Sequence, residues 1–534
     1  MQNKDKKNIV LTGFMGTGKT TVGKKIAAQL NREFIDTDDL IQERQGISIS
    51  EIFRQHGEAA FRQMESDIAK ELGKREGLVI STGGRLMLDP ANVEALSRDG
   101  RVFCLIATPQ EILSRIESDN EHKRPLLEVP NPGELVIELL KERQKGYHRF
   151  QKIVTNDKQP DEVADDLLEI FQDDPKRFSI DHPAQPYEYV VGSGILPFIR
   201  QLAGVTGTIV VITDTAVQEL YGLSCGDVDH VIAIPVGNER KTLATVQTIY
   251  EQLIEIGFDR SGTIVALGGS LVGDIAGFVA ATYMRGVNLI QCPTSLQAMA
   301  DTSIGGKTSI DLPQGKNLIG VFKQPSMVIA DVATLQTLPA EAFSSGMAEV
   351  IKHGLIADSD LLEKVENGNW HHEAGTLFTS LFDVQALVAQ AIQVKIAIVQ
   401  EDPFDHGRRF FLNFGHTFAH AIEQVSGYSI CHGKAVAMGM VAAANLSARL
   451  GHCSADLQES IEEKLKKVNL PIRIPYLSSQ LLLKAMENDK KRVGDIIRFV
   501  IPSRIGQVFV ADDVDQPAIL ATLQEITDSN GQTE

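Results

Sequence analysis

The sequence of 534 residues lacks several features that mark secreted and membrane proteins. It has only five cysteines, and they are scattered without paired spacing, which argues against a disulfide framework and favours a reducing compartment. No apolar run reaches the ~18 residues that a membrane-spanning helix needs. The short apolar run near the start, NIVLT, leads into a glycine loop and has no cleavage-site pattern. We therefore expect a cytoplasmic protein with no membrane partner.

Positive charge is also scarce, since 52 Lys and Arg residues face 70 Asp and Glu residues and leave a net charge of -18. This balance argues against a nucleic-acid partner, and any anionic substrate must be met by local Lys and Arg side chains. Internal repeats and low-complexity tracts are missing too, which points to a fusion of unrelated modules. From the length and the patterns below we expect a module over 1–172, a proline-rich linker over 173–186, and a second module divided into 187–340 and 341–534.

The first motif is GFMGTGKT, which follows the strand-like run NIVLT and precedes a helical stretch. Gly13, Gly18, Lys19 and Thr20 satisfy the pattern G-x-x-x-x-G-K-[ST]. Such glycines let backbone N–H groups surround phosphate oxygens at a helix N-terminus, the lysine adds a positive charge, and the threonine hydroxyl binds Mg²⁺. The motif predicts a site for ATP and Mg²⁺.

Candidate residues for a phosphate acceptor follow along the same module. Asp36 and Asp38 end a second short strand, where side chains of an α/β sheet face the ligand crevice. One can hold the water shell of the metal and the other an acceptor hydroxyl. A helical stretch then contains Arg62, and a further predicted strand ends at Gly83 and Gly84.

Residues 8–170 resemble shikimate kinase, a small P-loop kinase, through GFMGTGKTTVG, FIDTDDLI, ISEIFRQHGEAAFRQME, STGG and RPLL. The resemblance implies a parallel sheet flanked by helices and phosphoryl transfer from ATP to shikimate, with Lys19 and Asp38 in catalysis. It implies that four residues hold shikimate: Asp38, Arg62, Gly84 and Arg143. The residues implied for ATP and Mg²⁺ are Gly16, Thr17, Gly18, Lys19, Thr20, Thr21, Asp36 and Arg124.

Two departures from that family lie on the acceptor side. Arg85 stands where a third glycine is usual, and Arg143-Gln144-Lys145-Gly146-Tyr147 replaces the usual Arg-x-P-L-Y. Two alternatives therefore stay open beside the kinase: a regulatory module that binds the nucleotide without transferring phosphate, and a P-loop module for a different small metabolite.

The second half of the chain alternates strands with helical stretches, and its glycine-rich turn lies in TIVALGGSLVGDIAGF. Gly269 and Gly273 follow a strand and open a helix, an arrangement that suits the pyrophosphate of a dinucleotide. Asp214, at the end of an earlier strand, is a candidate partner for a ribose hydroxyl. Further on, Lys307 and Lys316 lie close to glycine turns and indicate a phosphate or oxyanion pocket.

A candidate metal site lies in RRFFLNFGHTFAHAIEQVSGYSICHGKAVAM. His416 and His420 are four residues apart, which places them on one helix face, and His432 follows twelve residues later. Glu349, from SSGMAEVIKHG, is a plausible oxygen ligand. The residues alone leave open which of the three histidines bind the metal.

Residues 187–510 resemble 3-dehydroquinate synthase through LGGSLVGDIAGF, DTSIGGKTSID, GKNLIG, SGMAEVIKHG, LNFGHTFAHAIE and HGKAVAMGM. The resemblance implies a Rossmann-like NAD-binding part and a mainly helical metal-binding part. It implies conversion of 3-deoxy-arabino-heptulosonate 7-phosphate to 3-dehydroquinate and phosphate, with NAD⁺ and Zn²⁺ or Co²⁺. The implied metal ligands are Glu349, His416 and His432, which leaves His420 for proton transfer. A homodimer is also implied, with Arg285 reaching across the interface.

The remaining residues that this resemblance implies fall into three groups. Catalytic roles are implied for Lys307, Lys352, Lys395 and His420. NAD-binding residues are Asp214, Lys241, Gly269, Ser270, Gly273, Asp274, Thr294, Ser295, Lys307, Lys316, Thr334 and Thr337. Substrate-binding residues are Asp301, Lys316, Asn317, Lys352, Lys395, Arg409, Asn413, His420, Lys490 and Arg285.

The second module also departs from its family. Ser270 replaces a third glycine, and the nucleotide pocket reads Gly237-Asn238-Glu239-Arg240-Lys241 instead of beginning Gly-Glu. We predict a bifunctional enzyme of aromatic amino acid biosynthesis acting on small molecules, with another sugar-phosphate cyclase or a metal-dependent polyol dehydrogenase as the alternatives for this half.

Overall fold

A computed structural model gives the fold of the chain. It describes residues 7–118, 132–148, 150–222, 225–370, 372–373, 376–377, 380–487 and 497–527. Two residues with expected roles, Arg124 and Lys490, lie outside the described residues, as does the side chain of Asn238.

The first module, residues 7–172, is built on a five-stranded parallel sheet. Its strands are β1 (Asn8–Gly13), β2 (Phe34–Asp36), β3 (Val79–Ser81), β4 (Gly100–Ile106) and β5 (Gln151–Val154), in the order β2-β3-β1-β4-β5. Every residue of the central strand β1 is buried, because helices cover both faces of the sheet. The helices are α1 (Lys19–Leu30), α2 (Thr37–Gln45), α3 (Ile49–Leu72), α4 (Pro90–Ser97), α5 (Pro109–Ser118), α6 (Pro132–His148) and α7 (Pro160–Gln172).

The second module is built on a seven-stranded sheet in the order β6-β7-β14-β11-β10-β8-β9. Its strands are β6 (Lys176–Ile180), β7 (Tyr187–Gly192), β8 (Ile209–Asp214), β9 (His230–Ile234), β10 (Thr263–Gly268), β11 (Asn288–Pro293) and β14 (Met327–Asp331). The pairs are parallel except β6 with β7. The helices of this part are α8 (Ile199–Ala203), α9 (Thr215–Tyr221), α10 (Leu243–Glu255) and α11 (Ser270–Thr282), and a hairpin of β12 (Lys307–Leu312) and β13 (Gly315–Phe322) stands apart from the sheet.

Residues 173–186 were expected to form a linker, but they contain the strand β6. This strand pairs antiparallel with β7 and forms the edge of the second sheet. Pro175, Pro183 and Pro186 flank the strand and none lies inside it, so every residue of β6 keeps the N–H group that a ladder needs. The segment is therefore an integral edge of the second module.

The remainder of the second module is mainly helical. Its helices are α12 (Ala340–Ala357), α13 (Ser359–Asn367), α14 (Leu381–Glu401), α15 (His416–Val425), α16 (His432–Arg449), α17 (Ala455–Lys467), α18 (Ser479–Glu487) and α19 (Gln516–Ile526). Two short hairpins accompany them, β15 (His372–Glu373) with β16 (Thr376–Leu377), and β17 (Phe499–Arg504) with β18 (Gln507–Ala511). Helix α16 is buried on all sides because its sequence is apolar or small almost throughout. The predicted α/β class is confirmed.

Among the described helices, α14 has the length and composition of a membrane span. Two thirds of its most apolar stretch, 67%, is buried inside the protein. This burial is typical of the core helix of a folded module.

Candidate active sites

The glycine loop between β1 and α1 is shaped by backbone conformations that favour glycine. Gly16 and Gly18 have φ of 78° and 90°, and a Cβ on Gly13 would lie 2.3 Å from the Leu105 carbonyl oxygen. Lys19 Nζ donates to the carbonyl oxygens of Gly13 and Phe14 at 2.9 and 3.0 Å, which keeps the ammonium over the loop. The loop can thus present N–H groups and a cation to a phosphate.

An acidic pair meets the end of this loop. Thr20 Oγ1 donates to Asp36 Oδ2 at 2.8 Å, and the other oxygen of Asp36 accepts the Asp38 backbone N–H at 3.1 Å. The hydroxyl and the carboxylate are both hard oxygen ligands of the kind that Mg²⁺ prefers. The structure therefore brings together two residues that the sequence assigned separately to the metal.

Asp38 lies at the base of the candidate acceptor pocket. Burial, and then the neighbouring carboxylates of Asp36 and Glu65, raise the pKa of Asp38 from 3.8 to about 7. Its Oδ1 is buried and has no hydrogen-bond partner among the described residues. A carboxyl with a pKa near neutrality suits proton transfer from an acceptor hydroxyl.

Four further residues lie close to Asp38 or to one another in this part of the module. A Cβ on Gly83 would lie 2.5 Å from Asp38 Oδ1, and one on Gly84 would lie 3.6 Å from Arg143 Nη1, so the two glycines bring the backbone close to both side chains. Arg143 is only 6% exposed, and its Nε has no hydrogen-bond partner in the described part of the chain. Tyr147 donates to the Gly84 carbonyl oxygen, so the last residue of the altered segment contacts the second glycine.

Arg62 joins this group through a residue that the sequence analysis missed. Arg62 Nη1 lies 2.6 Å from Oε2 of Glu65, which is 2% exposed and lies near Asp38 and Gly83. Burial raises the pKa of Glu65, while Arg62 opposes that rise. The only sequence signal was an Arg–Glu pair three apart on a helix, and such pairs are common on helix surfaces.

In the second module the glycine turn after β10 lies at the carboxyl end of the parallel strands, where α/β sheets bind ligands. A small cavity there is lined by Gly269, Ser270, Gly273, Asp274 and Lys307.

Lys241 comes from another element to reach this turn. Its Nζ lies 2.5 Å from both Asp274 Oδ2 and Asn317 Oδ1. Lys241 thus bridges the expected NAD-binding and substrate-binding residues.

The other expected NAD-binding residues differ in where they lie and in what they bond to. Thr294 donates its backbone N–H to the Gly268 carbonyl oxygen beside the glycine turn, and Asp214 caps α9 by accepting the Val217 N–H at 2.9 Å. Thr334 and Thr337 instead use their hydroxyls inside the protein. Thr334 donates to the Asp331 carbonyl oxygen at 2.8 Å, and Thr337 lies 2.5 Å from the Tyr221 hydroxyl.

The candidate metal centre consists of Glu349 from α12, His416 at the start of α15 and His432 at the start of α16. One ligand atom from each lies within 4.8 Å of the other two. Glu349 Oε1 is 3.7 Å from His416 Nε2 and 3.4 Å from His432 Nε2. His420 is one turn further along α15, with its ring centroid 5.9 Å from that of His416, and is outside this cluster.

The donor set fits a divalent cation. Glu349 is fully buried, and within the described chain neither of its oxygens has a hydrogen bond of good geometry, although the Lys352 ammonium pairs with Oε2. His416 Nδ1 lies 3.1 Å from the Phe414 carbonyl oxygen and His432 Nδ1 lies 3.3 Å from Glu423 Oε2. Partners on Nδ1 leave Nε2 for a metal, which is the usual arrangement around histidine ligands.

Glu423 is a second residue that the sequence analysis missed. Burial alone would lower the pKa of His432, but hydrogen bonds to Glu349 and Glu423 raise it to about 10. The two carboxylates on either side of the ring thus favour positive charge at His432. Glu423 lies seven residues after His416 on the same helix, a spacing that would have pointed to it.

The basic residues expected to bind substrate form buried pairs near this centre. Lys395 Nζ lies 2.6 Å from Asp301 Oδ1, and burial lowers the pKa of Lys395 to about 8 against the pull of that carboxylate. Arg409 is 3% exposed and donates to the Gly305 carbonyl oxygen at 3.0 Å. His353 was also missed; it is fully buried, with Nε2 4.0 Å from Asp301 Oδ1.

The remaining expected residues are less enclosed. Lys307 pairs with Asp405, and Lys316 Nζ lies 3.9 Å from Glu423 Oε1. Asn413 Nδ2 donates to the Phe410 carbonyl oxygen at 3.0 Å. Arg285 is exposed on the turn after α11 with φ of 65°.

Fold and sites together define a P-loop phosphotransferase joined to an α/β enzyme with a candidate metal centre. Family models match in the same order: Shikimate kinase over residues 15–172, 3-dehydroquinate synthase N-terminal over 231–345, and 3-dehydroquinate synthase C-terminal over 346–492. The chain is 43% identical over 359 residues to 3-dehydroquinate synthase of Syntrophotalea carbinolica, which covers 65% of this chain and 97% of that protein.

Solved structures agree with the fold of the second module. One is 2-epi-5-epi-valiolone synthase from Streptomyces hygroscopicus with NAD⁺ and Zn²⁺ bound (24% identity, TM-score 0.59, 64% of this chain and 96% of that one). Another is 2-deoxy-scyllo-inosose synthase complexed with carbaglucose-6-phosphate, NAD⁺ and Co²⁺ (24% identity, TM-score 0.58, 66% of this chain and 100% of that one).

The chain belongs to the 3-dehydroquinate synthase family and carries a shikimate kinase module ahead of the synthase. It is a bifunctional enzyme of the shikimate pathway that acts on small molecules. This result confirms the predicted function over the regulatory-module and other-cyclase alternatives.

Proposed function

We propose that the kinase site phosphorylates shikimate with the residues that surround the glycine loop and Asp38. Backbone N–H groups of residues 16–21 and Lys19 bind the ATP phosphates, with Arg124 reaching them as well, while Thr20 and Asp36 hold Mg²⁺. Asp38 accepts the proton as the shikimate hydroxyl oxygen bonds to the γ-phosphorus and the bond to the ADP oxygen breaks. The observation that carries this proposal is Asp38 Oδ1, which is buried and has no hydrogen-bond partner within the part of the chain that the structure describes.

The shikimate carboxylate is held by Arg62 and Arg143, with Gly84 giving close backbone approach. Arg143 supports this role because its guanidinium is buried, its Nη1 lies near Gly84, and its Nε has no hydrogen-bond partner among the described residues. A guanidinium binds a carboxylate through charge-assisted hydrogen bonds, and burial strengthens them.

We propose that the synthase site holds a divalent metal, Zn²⁺ or Co²⁺, on Glu349, His416 and His432, and NAD⁺ against the glycine turn at Gly269. When bound, NAD⁺ takes up and returns a hydride while the metal polarises the substrate oxygen. The convergence of the buried Glu349 carboxylate with Nε2 of His416 and of His432, at 3.7 and 3.4 Å from Oε1, carries this proposal.

The side chains of the synthase site bind and orient the substrate and move its protons. Lys352, Lys395 and Arg409 neutralise the carboxylate and phosphate of the heptulosonate, and Asn413 and Asn317 orient its hydroxyls. Lys490 and Arg285 join the phosphate-binding group, Arg285 from a second subunit of a homodimer. His420 moves a proton near the departing phosphate, since imidazole titrates near neutral pH. We place the enzyme in the cytoplasm.

The test assays both reactions on the intact chain and on two variants. Shikimate-dependent ADP release should be lost in Lys19→Ala, while phosphate release from 3-deoxy-arabino-heptulosonate 7-phosphate stays near the wild-type rate. Glu349→Gln should give the opposite pattern. If the intact chain turns over neither substrate, the roles proposed for these residues are wrong. A heptulose phosphate that is not a 3-deoxy acid serves as the control substrate for other cyclase activities.

A further inference from the structure

Arg85 directly follows the two glycines that line the acceptor pocket. Its backbone φ is -112°, an ordinary value, so the position accommodates a side chain without strain. The side chain is 45% exposed and Nη1 lies 3.5 Å from Glu58 Oε1. The positive charge of Arg85 also opposes the rise in the pKa of the buried Glu65, so Arg85 lies near the residues expected to hold the acceptor.

Glu58 is shared between two arginines. The same Oε1 of Glu58 accepts hydrogen bonds from Arg62, from Nη2 at 3.0 Å and from Nε at 3.3 Å. Gly57, with φ of 79° and ψ of 171°, breaks the helical conformation of α3 just before it, so Glu58 starts a new helical segment. One carboxylate thus lies between Arg62 and Arg85.

The two acidic partners of Arg62 differ in how firmly they are held. Glu65 is 2% exposed and lies close to Asp38, whereas Glu58 is 56% exposed. An exposed ion pair is weak and exchanges easily, because water screens it. Arg62 therefore has one fixed partner and one that another carboxylate can replace.

We propose that Arg85 is a second carboxylate-binding residue of the acceptor site, and that Glu58 occupies the place of the acceptor's carboxylate between Arg62 and Arg85 until the acceptor displaces it. This inference rests on the proposed acceptor site. Arg85, at the third position of the glycine turn, would help to select a small polyol acid as the acceptor. The resemblance to shikimate kinase implies only a glycine at this position.

The consequences for the two residues have opposite signs. Loss of the Arg85 cation weakens binding of the acceptor carboxylate and leaves ATP binding unchanged, because Arg85 lies on the acceptor side. Loss of the Glu58 charge removes a competitor and therefore tightens acceptor binding. A residue that merely supported Arg62 structurally would weaken acceptor binding when removed.

The test uses the full-length chain with Arg85→Gln, Arg85→Lys and Glu58→Gln. Matched controls are Arg54→Gln and Glu51→Gln, because these residues pair with each other on α3, in the helical segment before Gly57. Synthase turnover by the same protein reports its folding and concentration. Steady-state kinetics gives the shikimate KM, the ATP KM and kcat, and calorimetry without ATP gives shikimate affinity independently of turnover.

We expect Arg85→Gln to raise the shikimate KM and Kd about fivefold, with kcat and the ATP KM within about twofold of wild type. Arg85→Lys should restore part of the affinity, Glu58→Gln should lower the shikimate KM about threefold, and the controls should match wild type. An unchanged or lower shikimate Kd in Arg85→Gln, or a higher one in Glu58→Gln, would overturn the inference. A wild-type chain that binds shikimate without releasing ADP would instead contradict the proposed function, and the calorimetric comparison would still decide the role of Arg85.

Discussion

Gln336 and Lys152 exchange two hydrogen bonds across the two modules although they are 184 residues apart. The Gln336 side chain accepts the Lys152 N–H at 2.9 Å and donates to the Lys152 carbonyl oxygen at 3.1 Å. Lys152 belongs to β5, the last strand of the kinase sheet, so the Gln336 amide pairs with backbone groups at a free sheet edge. Arg101 of β4 adds to the junction by donating to the Ser193 carbonyl oxygen.

Replacing Gln336 with Ala should loosen the kinase from the synthase. It leaves a buried N–H and a buried C=O unpaired, and each such group costs about 1–3 kcal/mol. Trp370, the only tryptophan, packs against the core of the synthase, so its fluorescence follows that module alone during urea unfolding. We expect kinase activity to be lost at lower urea in Gln336→Ala, ahead of the Trp370 transition. Gln63→Ala, at an exposed Gln–Asp contact, is the control; an unchanged urea midpoint of kinase activity would show that the junction contributes little.

Substitutions of His432 and of His420 should differ in their effect on the metal content. His432→Ala removes a ligand and should lower bound zinc from one per chain to a small fraction, whereas His420→Ala should keep the metal and lose rate. The geometric reason is that the Glu349, His416 and His432 ligand atoms converge within 4.8 Å and His420 is not among them. Elemental analysis after gel filtration makes the measurement. Stoichiometric zinc in His432→Ala, or its loss in His420→Ala, would contradict the assignment.

Glu423→Gln should weaken metal binding without removing a ligand. Glu423 lies 3.3 Å from His432 Nδ1 and orients the ring, and loss of such a partner typically costs about 10- to 100-fold in metal affinity. Competition with a chromophoric chelator gives the affinity directly. Glu401→Gln, which alters an exposed pair with Arg408, is the control. Equal affinities in the two variants would assign Glu423 no part in holding the metal.

Asp38 should impose a pH dependence on the kinase. Burial and two neighbouring carboxylates raise its pKa to about 7, and it must be ionised to accept a proton. The value of kcat/KM for shikimate should therefore rise tenfold per pH unit below about pH 7 and level off above it. Asp38→Asn should lose about 10²- to 10⁴-fold in rate at all pH values. A profile that stays flat between pH 5.5 and 8 would exclude Asp38 as the base.

The same group affects stability with a definite sign. In the unfolded chain its pKa is near 3.8, so between about pH 4 and 7 the folded protein keeps a proton that the unfolded chain has released. The free energy of unfolding therefore falls as pH rises through this window. Asp38→Asn carries no such charge, so its gain in thermal midpoint over wild type should be larger at pH 8 than at pH 5. An equal gain at both values would contradict the raised pKa.

Much of the kinase site could be predicted from sequence because its parts are local. The residues of the glycine loop lie within eight positions of one another, and Asp36 and Asp38 end the next strand, so strand and helix geometry alone brings them together. The role of Glu65 could not be predicted, because its pairing with Arg62 looks like any exposed contact three residues apart on a helix. Only burial beneath Gly83, beside Asp38, distinguishes it.

The segment before β7 shows a different limit. Three prolines and several charges indicated a linker, yet β6 pairs with β7 there. Edge strands need hydrogen bonding on one side only, so a short charged stretch between prolines can form one. The local sequence pattern does not show that such a segment pairs with a neighbouring strand.

For the synthase, sequence alone determines the candidates: a glycine turn after a strand, basic residues in loops, and histidines spaced on helices, since these depend on neighbours within a few turns of chain. The tertiary structure decides which of them meet. Packing of α12, α15 and α16 brings Glu349 to His416 and His432 and separates His420. These outcomes depend on contacts between segments tens of residues apart, where spacing along the chain carries no distance information.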